Sequence, residues 1–183
     1  MVLTGSRLRL RPWCQSDLDP FAAMSADPAV MRHLLPLPDR AACAAVIERF
    51  ERHRNEHGFT FWAIEVPGLC PFIGFAGLLR VGFEAPFTPA VEIGWRLASA
   101  HWGQGYATEA ANLALRHGFE DHGLRQIVAL TVPDNSRSRR VMQRLGMRHD
   151  PRDDFDHPRV PDGHPLKRHV LYRLDRADYS TTA

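Results

Sequence analysis

Val91-Glu92-Ile93-Gly94-Trp95-Arg96-Leu97-Ala98-Ser99-Ala100-His101-Trp102-Gly103-Gln104-Gly105-Tyr106-Ala107-Thr108-Glu109-Ala110 is the stretch that decides the fold. Val91, Ile93 and Trp95 alternate with Glu92 and Gly94, the period of a strand. From Thr108 onward Ala, Leu and Glu dominate, and Ala111, Leu115 and Phe119 recur at helical spacing, which predicts a helix to about Asp121. Between them lies a Gly-x-Gly turn. Glycine lets backbone N–H groups come close to a ligand, and a helix N-terminus adds unpaired donors and a positive dipole end. Strand, glycine turn and helix together make an anion site, most often for phosphate.

Two phosphate-binding loops are excluded by the residues. No Gly-Lys-Ser or Gly-Lys-Thr follows, and the chain's one lysine is Lys167. The dinucleotide fingerprint lacks its third glycine, with Thr108 in that place. A second segment narrows the choice. Ile127-Val128-Ala129-Leu130-Thr131-Val132 is a β-branched strand, followed by Asp134-Asn135-Ser136-Arg137-Ser138-Arg139-Arg140-Val141-Met142-Gln143-Arg144-Leu145-Gly146-Met147, a short helix ending at a glycine.

Together the two segments resemble the GNAT superfamily of acyl-CoA-dependent N-acetyltransferases, in particular its RimJ/RimL-like branch of ribosomal-protein N-terminal acetyltransferases. The family loop reads Gln/Arg-x-x-Gly-x-Gly/Ala. Trp102 to Ala107 matches it at Gly105 and Ala107 and departs at Trp102, which replaces the Gln or Arg. Asn135-x-x-Ser138 to Leu145-Gly146-Met147 looks like the family's Asn-x-x-(small) to Leu-Gly-Phe run. Leu8-Arg9-Leu10-Arg11-Pro12-Trp13 with Asp17-Leu18 resembles the branch's N-terminal strand. The likeness implies a GNAT fold: an α/β (α+β) arrangement with a central mixed, mostly antiparallel sheet and helices on both faces, spanning residues 1–183 as one domain.

Length and composition agree with that expectation. A chain of 183 residues can bury a sizeable core. No apolar run approaches the roughly 18–20 residues of a membrane span, and Met1 to Arg7 lacks a signal-peptide core. Cys14, Cys43 and Cys70 are odd in number and far apart, which suggests neither a disulfide framework nor a zinc site. The ten histidines form no metal constellation. A net charge of +2 argues against a nucleic-acid specialist. The expectation is a cytoplasmic monomer or homodimer without metal, nucleic-acid partner or membrane contact.

Elsewhere the pattern predicts a first strand through Leu8 and Leu10, ended by Pro12, then Ser16 as N-cap of a helix from Asp17 to Met24. Asp39 caps a helix from Arg40 to Glu56, with Cys43, Val46, Ile47 and Phe50 on its apolar face. Phe61–Val66 and Phe72–Leu78 form a hairpin across Pro67-Gly68. Residues 81–90 are a loop, 150–165 an irregular segment, and His169–Leu174 a last strand.

Moving an acetyl group from a thioester to an amine requires deprotonation of the amine, stabilisation of an oxyanion and a fate for the thiolate. Glu92, on the strand beside the turn, is the candidate base; the alternative is a structural glutamate in an ion pair. The resemblance implies a tyrosine acid in the last helix, but the count from Asn135 lands on Met142. Ser138 is the nearest hydroxyl and the candidate acid, with a helix-start role as its rival. For acetyl-CoA the candidate contacts are the backbone of Trp95, Arg96 and Leu97, the turn Gly103, Gln104, Gly105, Tyr106, Ala107 and Thr108, the Asn135 amide and Arg140. Asp153, Asp154 and Asp156 beside Phe155 are candidates for drawing in a cationic amine, or are solvated loop carboxylates. The implied function is N-acetyl transfer to a primary amine, on a protein N-terminus or a small molecule, directly within a ternary complex. The rival is a catalytically silent acyl-CoA-binding module.

Overall fold

The computed structural model describes residues 1–180. Its strands are β1 (Leu3–Thr4), β2 (Arg9–Arg11), β3 (Phe61–Val66), β4 (Cys70–Arg80), β5 (Val91–Leu97), β6 (Gln126–Thr131), β7 (Arg148–His149), β8 (Phe155–Asp156) and β9 (Arg168–Asp175). Its helices are α1 (Leu18–Ala26), α2 (Pro28–Met31), α3 (Arg40–His57), α4 (Tyr106–Arg116) and α5 (Ser136–Arg144). The sheet runs β1-β2-β3-β4-β5-β6-β9-β7, with β8 also on β9. Neighbours are antiparallel apart from β5 and β6, which are parallel. A parallel pair needs a crossover, and α4 is that crossover.

Helices cover both faces. Ile64, Ile73, Leu78, Ile93 and Ile127 pack on one side with Ala110, Ala111 and Leu115 of α4 and Met142 of α5. The other side is built from rings: Trp13, Phe21, Phe50, Phe72 and Phe75, with Cys43 of α3. Trp13 lies 5.4 Å from Phe21 and 5.5 Å from Phe72 between ring centroids, spacings at which aromatic pairs attract.

Local chemistry sets most element ends as the sequence predicts. The Asp39 side chain accepts the Ala42 N–H at 2.7 Å and starts α3. Gly58, with φ of 80° and not singled out from the sequence, ends it. Gly68 takes φ of 76° in the β3–β4 turn. One expectation is corrected. Ser16 does not cap α1; it sits in a 3-10 turn, Gln15–Asp17, that precedes the helix. The helix expected to open directly from the Gly-x-Gly turn begins at Tyr106, right after Gly105. It is α-helical to Arg116 and ends at Asp121, as expected, through a wider π-type turn, His117–Asp121. The two-residue strands and short α2 were not foreseen, since pieces of that length carry no periodicity.

Arg11 holds the junction of β2, α1 and the β3–β4 hairpin. It grips Asp17 with two bonds (2.7 and 2.8 Å) and Glu65 with a third at 3.0 Å. Asp17 is only 1 % exposed. Burial alone would raise its carboxyl pKa, but Arg11 and the Cys14 N–H outweigh that and hold it below the ordinary value. A depressed folded-state pKa contributes stability above the unfolded value near 4 and loses it as pH falls through the folded one. Asp17→Asn is therefore expected to destabilise at pH 7 by roughly 3–5 kcal/mol, the usual cost of breaking a buried pair. In urea unfolding the difference from the native chain should shrink at pH 3. An equal difference at both pH values would contradict this account.

Candidate active site

The site grows from the one place where the sheet opens. β4 pairs β5 along its whole length, from Gly74↔Leu97 to Arg80↔Val91. β6 meets β5 at Glu92↔Val128 and nowhere further along. From Ile93 onward the two strands part, leaving outward backbone groups of β5 facing a cleft. At its far end the Leu97 carbonyl is already taken by the Trp102 indole N–H at 2.9 Å. The stretch from Trp95 to Leu97 foreseen as a free edge is thus shortened by one acceptor.

The glycine turn closes that end of the cleft. Gly103 and Gly105 have φ of 78° and 81°, the left-handed region where a side chain is strained. Gly105 is the N-cap of α4 and offers no side chain to it. The first-turn N–H groups from Tyr106 to Thr108 thus have no helical acceptor. Arg7 braces the turn from outside. Its Nη1 donates to the Gln104 carbonyl at 2.8 Å, its Nε pairs with Glu109 at 2.8 Å, and its guanidinium lies 5.0 Å from the Tyr106 ring centroid. Beside the turn, Arg7, Gly105, Thr108, Asn112, Arg116 and Arg144 border an open cavity of about 630 Å³. Tyr106 itself is buried in the core, and Ala107 packs against it. Gln104 is exposed, its amide reaching only the Ala100 carbonyl at 3.4 Å.

Glu92 stands at the apex, the last residue before the strands diverge. It is half-buried, and loss of water raises its carboxyl to about 7 even though Arg49 and Arg159 pull the other way. Strand alternation puts Glu92, Gly94 and Arg96 on the face toward α3. Gly94 leaves room there for a ring: a Cβ on it would stand 2.7 Å from Cζ of Phe61. Trp95 turns the opposite way, against the α4 side of the core.

α5 supplies the other wall. Asn135 accepts the Ser138 N–H at 3.2 Å and donates to Thr131 Oγ1 at 2.9 Å, so it caps the helix and retains one amide hydrogen for a ligand. Ser138 is half-buried in the first turn. Met142 is 2 % exposed and packed in the core. The arginines of α5 separate. Arg137 lies 4.3 Å over the Trp102 ring, Arg139 donates to Tyr172 Oη, Arg140 is exposed and bonds the Ser136 carbonyl, and Arg144 borders the cavity. Arg140, chosen from the sequence, is not among the residues lining that cavity; Arg144 is.

The tail acids are already engaged. Asp153 pairs with Arg173 at 2.8 Å, Asp154 with His149 at 2.7 Å and Asp156 with Arg168 at 3.3 Å. Phe155 is buried with Val128 and Leu171 against Phe83 and Phe87. Capture of a cationic amine by these acids is therefore corrected: their charge is balanced within the fold. Arg7, Arg49 and Arg159 were missed because each lies far along the chain from the residues it serves, and an isolated arginine carries no pattern. Among the described residues no group of three or more His, Cys, Asp or Glu is placed to hold a metal ion, and no helix is long and apolar enough to cross a membrane.

A model of the acetyltransferase (GNAT) domain matches residues 7–148. The chain belongs to the GNAT acetyltransferase family. It is 32% identical over 148 residues to the uncharacterized protein YkkB of Bacillus subtilis, covering 79% of this chain and 84% of that one. A crystal structure of an acetyltransferase from Agrobacterium tumefaciens superposes with a TM-score of 0.75 at 26% identity, covering 95% of this chain and 94% of its own. RimL, a ribosomal L7/L12 alpha-N-protein acetyltransferase in complex with coenzyme A, shares the fold at 16% identity (TM-score 0.76, covering 96% of this chain and 98% of its own). The protein is thus a GNAT N-acetyltransferase, with the mixed sheet and flanking helices that the resemblance implied.

Because Arg7 ties the turn of this GNAT domain to its N-terminal segment, Arg7→Ala should loosen the turn more than the fold. Hydrogen exchange at the amides of residues 103–108 should speed up at least several-fold, while the melting temperature drops by only about 2–4 °C, as expected for a loss near 1 kcal/mol in a chain of this size. Unchanged exchange there would show that Arg7 does not brace the turn.

Proposed function

We propose that this GNAT protein transfers acetyl from acetyl-CoA to a primary amine, directly within a ternary complex, with Glu92 as general base. The carrying observation is the position of Glu92: a half-buried carboxyl with pKa near 7, at the apex of the opening between β5 and β6 and on the strand that leads into the phosphate turn. A base is most effective when its pKa lies near the working pH. The residues suit a pyrophosphate-bearing ligand. Gly103 faces open space where a Cβ would sit, the α4 N-terminus presents free N–H groups, and Arg144 and Arg116 stand beside it.

Acetyl-CoA supplies an activated thioester. The chain's own part is to hold it and manage protons. The backbone of Gly103 to Thr108 receives the phosphates, and the outward groups of β5 pair with the pantetheine amides, as strand edges do with peptides. Asn135 adds its remaining amide hydrogen. Glu92 takes the proton from the acceptor ammonium, directly or through a water. Ser138 is the hydroxyl nearest the motif for returning a proton to sulfur, Met142 being unable to do so. Whether the amine belongs to a protein N-terminus or a small molecule is set by the far end of the cleft.

Two outcomes test this reading. Glu92→Gln should lower kcat by about 10²–10⁴-fold and abolish a rise of kcat with pH centred near 7, with CoA affinity intact by calorimetry. The same change should stabilise the protein above pH 7. A carboxyl raised from 4.5 to about 7 favours the fold when neutral and loses that contribution as pH rises through 7. The gain is bounded at about 3 kcal/mol. A Glu92→Gln enzyme with native kcat across pH would make the glutamate structural. Separately, Gly105→Ala forces a side chain into a left-handed φ at the turn. CoA affinity should fall at least tenfold while circular dichroism stays native, and unchanged affinity would remove the turn from the binding site.

A further inference from the structure

Around Glu92 the charge is positive, and it is not balanced from within. Arg96 lies on the Glu92 face of β5, under α3 near Cys43, its guanidinium 5.2 Å over the Phe75 ring. Its Nη1 is buried without a hydrogen-bond partner. Leaving a charged nitrogen so costs free energy unless something else satisfies it. Arg49 of α3 lies over Phe50 at 5.5 Å. Arg159 of the tail lies over Phe83 at 5.7 Å and donates to the Gly82 carbonyl. Both are exposed and both act on Glu92 through space, yet neither forms an ion pair with it among the described residues. Stacking on a ring fixes a guanidinium plane and leaves its N–H edge for a planar oxyanion.

Two of these guanidiniums, Arg49 and Arg159, are exposed, and the third, Arg96, is desolvated. Burial lowers the Arg96 pKa to about 10, so it stays charged at neutral pH. Exposed charges of one sign draw in opposite charge over roughly a Debye length of about 8 Å. A polyamine would meet like charge at every step, whereas an amine that carries its own oxyanion would find the missing partner. Gly94, between Glu92 and Arg96 on the same face, leaves the intervening floor to the Phe61 ring.

We propose that the acceptor is an amine bearing an oxyanion, a carboxylate or phosphate, which the unpartnered guanidinium of Arg96 binds with Arg49 and Arg159 guarding the entrance. This rests on the reading of the chain as an N-acetyltransferase with Glu92 as base, and it names the class of acceptor. Arg96 is then a specificity residue rather than a cofactor contact through its side chain.

The test compares amines of matched length with acetyl-CoA as donor: β-alanine, phosphoethanolamine, propylamine and 1,3-diaminopropane. The oxyanion-bearing pair should have KM values roughly ten- to a hundredfold below the other two, the range of a hydrogen bond to a charged group. Whichever of the pair is better separates carboxylate from phosphate. Arg96→Met should erase the advantage and leave the acetyl-CoA KM unchanged. It should also hold or raise the melting temperature, since it removes a buried cation without a partner. A structural arginine would lower that temperature. Equal or better use of propylamine or the diamine by the native enzyme overturns this inference while sparing the acetyltransferase reading. Turnover of no amine by a protein that binds acetyl-CoA fails that reading instead. In that case calorimetry with N-acetyl-β-alanine against N-propylacetamide still decides the oxyanion claim: preference for the former, lost in Arg96→Met, supports it, and no preference overturns it.

Discussion

One parallel pairing in an otherwise antiparallel sheet, among the described residues, sets the position of the proposed site. Parallel strands cannot be joined by a tight turn, so the chain between β5 and β6 must cross over, and it does so as α4. The N-terminus of α4 therefore lies at the end of β5, beside the Gly103–Gly105 turn. Pairing confined to Glu92↔Val128 then lets the strands open toward that same helix end. A cleft lined by unpaired backbone and closed by free helix N–H groups follows from topology before any side chain is chosen. Side chains refine it: Arg7 from outside, Trp102 at the strand end and Asn135 from α5.

The two faces of the sheet divide the work. The α4 and α5 face mixes aliphatic side chains with Trp62, Tyr106, Phe119 and Tyr172, and it packs the crossover against the sheet. The α1 and α3 face is aromatic, and two of its rings, Phe50 and Phe75, each carry an arginine, as does Phe83 in the separate cluster around Phe155. A carboxyl near cations would, from their charge alone, be expected to drop in pKa. Its pKa rises instead because burial outweighs the two arginines that act on it from a distance. That balance leaves Glu92 about half protonated near neutrality, at a cost in stability that the apolar faces must supply.

Much of this was legible in the residues. Period-2 alternation located β5, and Asp39 and Gly68 punctuated the chain because their physical roles are local. The glycine turn was legible for the same reason, since φ near 80° at Gly103 and Gly105 suits glycine and few other residues. What was not legible depended on distance in sequence. Arg7 meets Glu109 across 102 positions, and Arg49 and Arg159 reach Glu92 from α3 and the tail. The tail aspartates looked free because their partners, Arg173, His149 and Arg168, sit on elements whose pairing no spacing announces.

The central claim is that the parted edge of β5 and the α4 turn form one continuous binding surface for acetyl-CoA. Backbone amide hydrogen exchange with and without CoA addresses it directly. The account predicts protection that appears together, at the same CoA concentration, in residues 93–96 and 103–108, with little change along β2 and β3. Protection confined to the turn, or found on the α3 face without the β5 edge, would contradict it.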